Sequence, residues 1–297
     1  MEMRQLQIFV ALAEELNFTR TAERLHTVQS NVTSHVRHLE EELGVQLFDR
    51  YPRRLVLTDA GTRFLPYAQR VLATVDDARR SMQFGDEPAG PLRIGAPESI
   101  LTYRLPRTLR RFRQRHPHVT LMLRPYVDTP LAAPLQSGEF DLAIRIADTI
   151  TEKTLGSRRI GAERIVLVAA PEHPLAERAT VRPRDLSGQH LLLTEEGCAY
   201  RKKFERILHA RAIKPPSVGE FASVEAIKQC ATLGMGLALL PEIVVAAEIR
   251  SGALRVLAWR GPDLNLSTHV VWHKGRSLTA AMRGFLETLD TTFAPER

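Results

Sequence analysis

Apolar residues recur at helical spacing from the start of the chain. Between residues 4 and 16, Leu6, Phe9, Val10, Ala13 and Leu16 share one face and predict a first helix. After a break at Asn17 and Phe18, Thr19 is placed to cap a short second helix that turns Ala22 and Leu25 inward. His26 to Val28 make a brief connection. A third helix is predicted from Gln29, with Val32, Val36, Leu39 and Leu43 inward and Gly44 as its left-handed stop. Val45 to Leu57 alternates short apolar stretches around a basic tip and reads as a two-stranded wing. Thr58 can then cap a long helix to about Phe84. Along it Phe64, Ala68, Val71, Val75, Ala78 and Met82 repeat at heptad steps, with Pro66 two turns in. Such a rod, roughly 40 Å long at ~1.5 Å per residue, cannot bury its stripe alone and calls for a partner helix. Gly85 to Pro91 breaks it and marks a linker.

The outer side of the third helix carries candidate chemistry. Gln29, Ser30, Thr33, Ser34 and Arg37 are polar, mostly short and gathered towards its N-terminal half. Two helices joined by a tight turn, with such groups opening the second, form a helix-turn-helix. Gln or Arg can bond two atoms of a purine edge in the major groove, and short hydroxyls permit close approach. The run Glu40 to Glu42 follows where the helix should leave the groove. Arg50, Arg53 and Arg54 at the wing tip would hold phosphates without reading sequence.

Downstream, β and α patterns alternate. Pro91 to Ser99 reads as a buried strand leading to a turn. A basic helix follows with Leu101, Leu105, Leu109 and Phe112 inward. Further strands are predicted at "VTLMLRP", "FDLAIRIA", "RIVLVAA", "HLLLT", "LALLP" and Thr268 to Lys274. Helices are predicted near Leu131 to Ser137, Tyr200 to Arg211, Val224 to Leu233 and Leu278 to Phe293. This alternation argues for an α/β fold with open, mainly parallel sheets.

Composition narrows the function. The chain has 297 residues, 44% hydrophobic and 25% charged, which is ordinary for a globular protein of about two domains. The net charge of +7 invites a nucleic-acid reading, but residues 1–85 carry as many basic as acidic side chains. The surplus lies downstream, much of it between Arg104 and Arg115, so local clustering and not global charge locates a DNA surface. Cys198 and Cys230 cannot form a disulfide framework. His116 with His118, and His269 with His273, have metal-like spacing. The first pair brackets Pro117 at a helix end and the second lies in a predicted strand, so no metal site and no cofactor is expected. No G-x-S-x-G elbow, P-loop or HExxH stretch appears, and an enzyme is not expected. The N-terminus shows no apolar signal-peptide core. The most apolar stretch, Gly234 to Ala247, is interrupted by Pro241 and Glu242 and falls short of the ~20 residues of a membrane helix. A cytoplasmic protein without membrane partners is expected.

The series from "LQIFVALAEELNFTRTAERLHTVQSNVTSHVRHLEEELGVQLFDR" through "LVLTDAG" resembles the LysR-type transcriptional regulators. Where the family usually has two alanines in helix two, this chain has Thr21 beside Ala22. The family's frequent recognition-helix serine is Thr33, and Ser34 and His35 stand where a basic residue is common. "SGEFDLAI" and "GMGLALLP" also match family patterns. The resemblance implies a two-lobed effector domain similar to periplasmic binding proteins. The expected division is a winged helix-turn-helix at 1–58, a coiled-coil dimerisation helix at 59–85, a hinge at 86–90 and an effector domain at 91–297. Within that domain, lobe I would be about 91–162 and 268–297, and lobe II about 163–267. The implied partners are double-stranded promoter DNA, a small-molecule effector, a second copy of the chain in a homodimer or homotetramer, and RNA polymerase.

A ligand between the lobes would lie outside the carboxyl ends of the strands. Ser99, Ile100 and Thr102 sit where a strand meets a helix start, and Gly197, Cys198 and Arg201 occupy the equivalent junction in the second lobe. Free amides and the helix dipole there favour an anion. Thr129 could add a hydroxyl, since pockets in the family use a polar residue there. The alternative is a thiol-based redox regulator: Cys198 at a helix start could have a depressed pKa, and some relatives sense oxidants through cysteine. Cys230 is expected in the core.

Overall fold

The computed structural model describes residues 1–51, 54–84, 87–126, 130–215 and 217–293, without the side chains of Arg50, Arg80, Ser81, Gln83 and Phe84. Arg53 and Thr129 therefore lie outside the described residues, as does the Arg50 side chain.

The chain opens with α1 (Met3–Glu15), α2 (Phe18–Arg24) and α3 (Gln29–Leu43), then the hairpin β1 (Phe48–Tyr51) and β2 (Arg54–Leu57), then α4 (Asp59–Phe84). In α1 the fully buried stripe is Leu6, Ile8, Phe9 and Leu12, while Val10 and Ala13 are half-buried. Leu16 is no core residue: it ends the helix in the left-handed region at φ 48° and is exposed. The cap of α2 is Asn17 and not Thr19. Its carboxamide oxygen accepts from the amides of Thr19 (2.9 Å) and Arg20 (3.1 Å), which leaves the Thr19 hydroxyl free for α3. Val32, Val36 and Leu39 are buried as the spacing demands, and Gly44 stops α3 at φ 69°. Thr58 caps α4 by accepting from the amide of Gly61 at 2.9 Å. A side chain at Gly61 would strike the carbonyl oxygen of Leu47, so α4 can lie against the wing only because glycine stands there.

The rest of the chain forms two lobes. Lobe I begins with β3 (Gly90–Ala96), a single π-helical turn at Ile100–Arg104 and α5 (Leu105–Arg115). It continues through β4 (Val119–Pro125), α6 (Ala132–Ser137), β5 (Leu142–Ala147) and β6 (Leu155–Glu163). The chain then crosses to lobe II, made of β7 (Ile165–Ala169), β8 (His190–Thr194), α7 (Ala199–His209), β9 (Ser217–Phe221), α8 (Val224–Thr232), β10 (Leu237–Pro241), α9 (Glu242–Ser251) and β11 (Arg255–Val256). It returns through β12 (Leu266–His273) and closes with α10 (Ala280–Thr292). The sheet orders are β4-β3-β5-β12-β6 and β11-β7-β10-β8-β9.

The sheets are mixed and not mainly parallel. β3 runs parallel to β4 and β5, and β8 to β9 and β10. β12 is antiparallel to both β5 and β6, and β7 to both β10 and β11. The cause is the double crossing: a strand leaving one sheet and a strand returning to it must run in opposite directions. The two crossings are tied side by side, the amide of Ile165 donating to Asn265 Oδ1 at 3.1 Å. Glu163, fully buried beside them, takes two bonds from the Arg104 guanidinium (3.2 and 3.3 Å). Burial raises the Glu163 pKa, and the arginine opposes that rise. In lobe I, Phe112 of α5 meets Phe285 of α10 edge-on at 5.2 Å, and each fully buried ring of this kind contributes roughly 1.5–3 kcal/mol.

Candidate nucleic-acid interface and inter-lobe cleft

The outer face of α3 is open. Gln29, Ser30, Ser34 and Arg37 are exposed and Thr33 is half-buried. Gln29 is oriented from α2, since the Thr19 hydroxyl donates to Gln29 Oε1 at 3.3 Å. The Thr33 hydroxyl donates to the Gln29 carbonyl at 3.0 Å, and Arg37 pairs with Glu41 at 2.7 Å. That exposed i,i+4 pair is worth little and can be exchanged for a phosphate. In the wing, β1 and β2 pair antiparallel, Tyr51 opposite Arg54. The Arg54 guanidinium lies 5.4 Å above the centre of the Tyr51 ring, which stiffens it beside the tip. Residues 29, 30, 34, 37 and 54 thus stand exposed on the recognition helix and its wing.

The heptad stripe of α4 divides. Ala68 is buried and Phe64 packs 5.2 Å from Phe9, both within the N-terminal core. These two are removed from the expected seam between copies, because α1 already covers them. Val75 is half-buried beside α1 and lobe I. Val71, Ala78 and Met82 are exposed, with Tyr67 on the same side; Met82 is 84% exposed. The opposite flank of α4 is fastened to lobe I. Arg276 donates to both oxygens of Asp77 (3.0 and 3.1 Å) and to Asp141 Oδ1 (3.0 Å). A groove of about 760 Å³, open to solvent, runs between α1, α4 and lobe I.

Between the lobes lies a smaller cavity of about 60 Å³. Its lining includes Glu98, Ser99, Tyr126 and Arg145 from lobe I, and Thr194, Glu195, Cys198 and Tyr200 from lobe II. Ser99 and Cys198 are therefore brought together as expected from the sequence. Ile100 is not: it is buried in the hydrophobic core, because the π-helical turn points it away. Thr102 is exposed and Gly197 is half-buried, neither among the lining residues. Arg201 is buried and already engaged, donating to Glu220 (2.6 Å), Glu205 (2.7 Å) and the carbonyl of Thr194. It is corrected from anion ligand to structural cation.

Sequence reasoning missed Glu98, Tyr126, Arg145, Glu195 and Tyr200. Glu98 reaches across the gap and accepts from the amide of Val224 (3.0 Å) and the hydroxyl of Ser223 (3.2 Å), capping α8 of the other lobe. Nearby, Tyr103 donates to Glu225 at 2.9 Å, a second bond between lobes. Lys203 adds a third, to Asp148 at 3.0 Å. Burial pushes the Cys198 thiol up, outweighing the amides of Tyr200 and Arg201 that favour the thiolate. Glu195 is also raised, by burial first and then by the charges of Glu98 and Glu220. The expectation of an anion therefore meets two carboxylates of the chain itself.

A winged helix-turn-helix joined by a long helix to a two-lobed, cleft-bearing domain defines a DNA-binding, ligand-responsive regulator. Residues 3–62 match the family model of the bacterial regulatory helix-turn-helix protein, lysR family, and residues 85–294 match that of the LysR substrate binding domain. The chain belongs to the LysR family of transcriptional regulators. It is 40% identical over 294 residues, 99% of its length and 100% of the relative's, to the uncharacterized HTH-type transcriptional regulator YwqM of Bacillus subtilis (strain 168). It is 30% identical over 302 residues to GltR of the same organism, covering 100% and 99% of the two chains. Among solved structures it is similar to a full-length OxyR of Pseudomonas aeruginosa bearing a cysteine-to-aspartate change. That match has a TM-score of 0.75 at 26% identity, covering 99% of this chain and 95% of that one. Full-length CbnR complexed with its target DNA superposes with a TM-score of 0.68 at 24% identity, covering 98% and 100%. Among the described residues no helix is long and apolar enough to cross a membrane.

Proposed function

We propose that this protein is a cytoplasmic, dimeric or tetrameric LysR-type regulator that docks two copies of α3 on a promoter and changes its grip when a small molecule binds between the lobes. The working units are residues 1–58, 59–85, 86–90 and 91–297. The exposed polar face of α3 carries the reading, since hydrogen-bonding groups stand there without the apolar cover that packing would require. Gln29 reads a base edge, assisted by Ser30, Thr33 and Ser34. Arg37, Arg50, Arg53 and Arg54 hold phosphates. Val71, Ala78 and Met82 meet a second copy. The effector works by linkage: it alters DNA engagement only through different affinities for the two lobe arrangements. A thiol switch at Cys198 is not favoured, because burial disfavours its reactive thiolate.

The test is fluorescence anisotropy on promoter fragments flanking the protein's own gene and on random duplex. Gln29→Ala is expected to lose about 1–3 kcal/mol on the specific site and relax choice at one position. Arg54→Ala is expected to weaken both duplexes alike and lower the salt slope by about 1. Wild-type behaviour of both variants overturns the contact assignment, and a wild-type chain indifferent to all duplexes overturns the function.

A further inference from the structure

We infer that the inter-lobe cleft takes a small molecule with a positively charged nitrogen, an amine or an amino acid, whose ammonium sits among Glu98, Glu195 and Thr194. The inference rests on the cleft being the effector site and names the ligand's chemistry.

Both places where an anion would settle are occupied from within. The N-terminus of α8 is capped by the Glu98 carboxylate, and the first amides of α7 lie under the Cys198 sulfur. The two arginines in reach are neutralised: Arg145 pairs with Glu152, and Arg201 with Glu205 and Glu220. Two carboxylates then remain on the cavity wall, from opposite lobes. An anion entering here meets like charge in a half-buried site, whereas a cation relieves it.

A second observation is independent of charge. Thr194 lines the cavity, is only 7% exposed, and its buried Oγ1 makes no hydrogen bond of ordinary geometry, having only the Cys198 thiol and the Tyr200 hydroxyl as weak polar company. A buried hydroxyl so weakly bonded costs free energy unless something bonds it. A primary ammonium has three donors and no acceptor, and the cleft offers three acceptors: two carboxylates and this hydroxyl. The size agrees with a head group. At about 60 Å³ the enclosed part of the cleft holds a few water-sized groups, room for a small head group. The remainder of the ligand would lie along Tyr126, Ala222 and Val224, which also line the cavity. If the ligand is an amino acid, its carboxylate has the Ser99 hydroxyl of lobe I to meet.

The experiment is isothermal titration calorimetry of the full-length chain near neutral pH, with ethylamine, putrescine, L-leucine and L-lysine set against butyrate and succinate. At least one amine is expected to bind and neither carboxylate. Glu195→Gln and Thr194→Val are each expected to weaken that binding tenfold or more. Binding of ethylamine or putrescine assigns a simple amine; binding of the amino acids alone assigns the α-amino-carboxylate pair. The ligand-free melting temperature of Glu195→Gln checks folding and should equal or exceed that of wild type, because a strained charge is removed. Binding of butyrate or succinate in preference to every amine, silence of all four amines, or amine binding indifferent to Glu195→Gln each overturns the inference. Failure to bind promoter DNA would sink the regulator reading instead, and is scored separately by anisotropy.

Discussion

Glu40 stands first in the acidic run that closes α3, a place where the pattern alone suggests a solvated charge leaving the DNA. Only 3% of it is exposed, and its Oε1 accepts from the amides of Leu47 (2.8 Å) and Phe48 (3.2 Å). The carboxylate ties the end of the recognition helix to the start of the wing and so sets the angle between the two. Truncation leaves two buried amides without an acceptor, at about 1–3 kcal/mol each. Glu40→Ala is therefore expected to destabilise the protein by roughly 2 kcal/mol or more in urea unfolding, while Glu41→Ala, at an exposed position, should change it by less than about 0.5 kcal/mol. Three neighbouring glutamates of one type thus do different work. Sequence spacing cannot separate them, because what distinguishes Glu40 is a pair of amides several residues downstream. Arg201 illustrates the same limit: a cation at a helix start looks available until its partners on α7 and β9 are placed.

At the scale of elements, the helix-turn-helix, the wing and α4 were legible because each is fixed by local signals, namely apolar period, cap and stop. The α2 cap was misplaced by two residues because Asn17 and Thr19 are both good cap types and only the geometry of the turn chooses. β6, β9 and α9 escaped the sequence reading. β6 mixes arginines with glycine as it crosses between lobes, and β9 is a largely exposed edge. The sequence shows the heptad stripe of α4 but not its ownership, since one regular period serves α1 at its beginning and is exposed further along. Val71→Glu places a charge on the uncovered part without touching the core contacts of Phe64 and Ala68. Sedimentation velocity is expected to show a shift towards monomer, with affinity for a two-fold site falling at least tenfold. An unchanged sedimentation coefficient would remove α4 from the interface between copies.

Across the whole molecule, four histidines share one sign. His116, His173, His269 and His273 are all lowered from 6.5, each by burial first. A base depressed in the fold takes up its proton more readily once unfolded. Their contribution is complete above about pH 6.5 and is lost as pH falls from there towards the folded-state values. The melting temperature should hold between about pH 7 and 8 and decline between about pH 6.5 and 5; a rise in the acidic range would contradict these assignments. The two-lobed architecture was legible from alternating patterns and the resemblance together, whereas the charge of the cleft was not. That charge depends on which side chains face the gap after two separate sheets have folded, information spread from Glu98 to Glu220.

Asp77 is bolted to lobe I through Arg276, and the first turn of α4 bears on the wing through Gly61 and Leu47. From Asp59 to Asp77 the helix rises by eighteen steps, a lever arm of roughly 27 Å. A tilt of about 15° at the bolted end, the size of a common rigid-body rotation, sweeps the far end through roughly 7 Å. That stroke spans about two base-pair steps at ~3.4 Å each, so a modest rocking of one lobe can carry a recognition helix off its register.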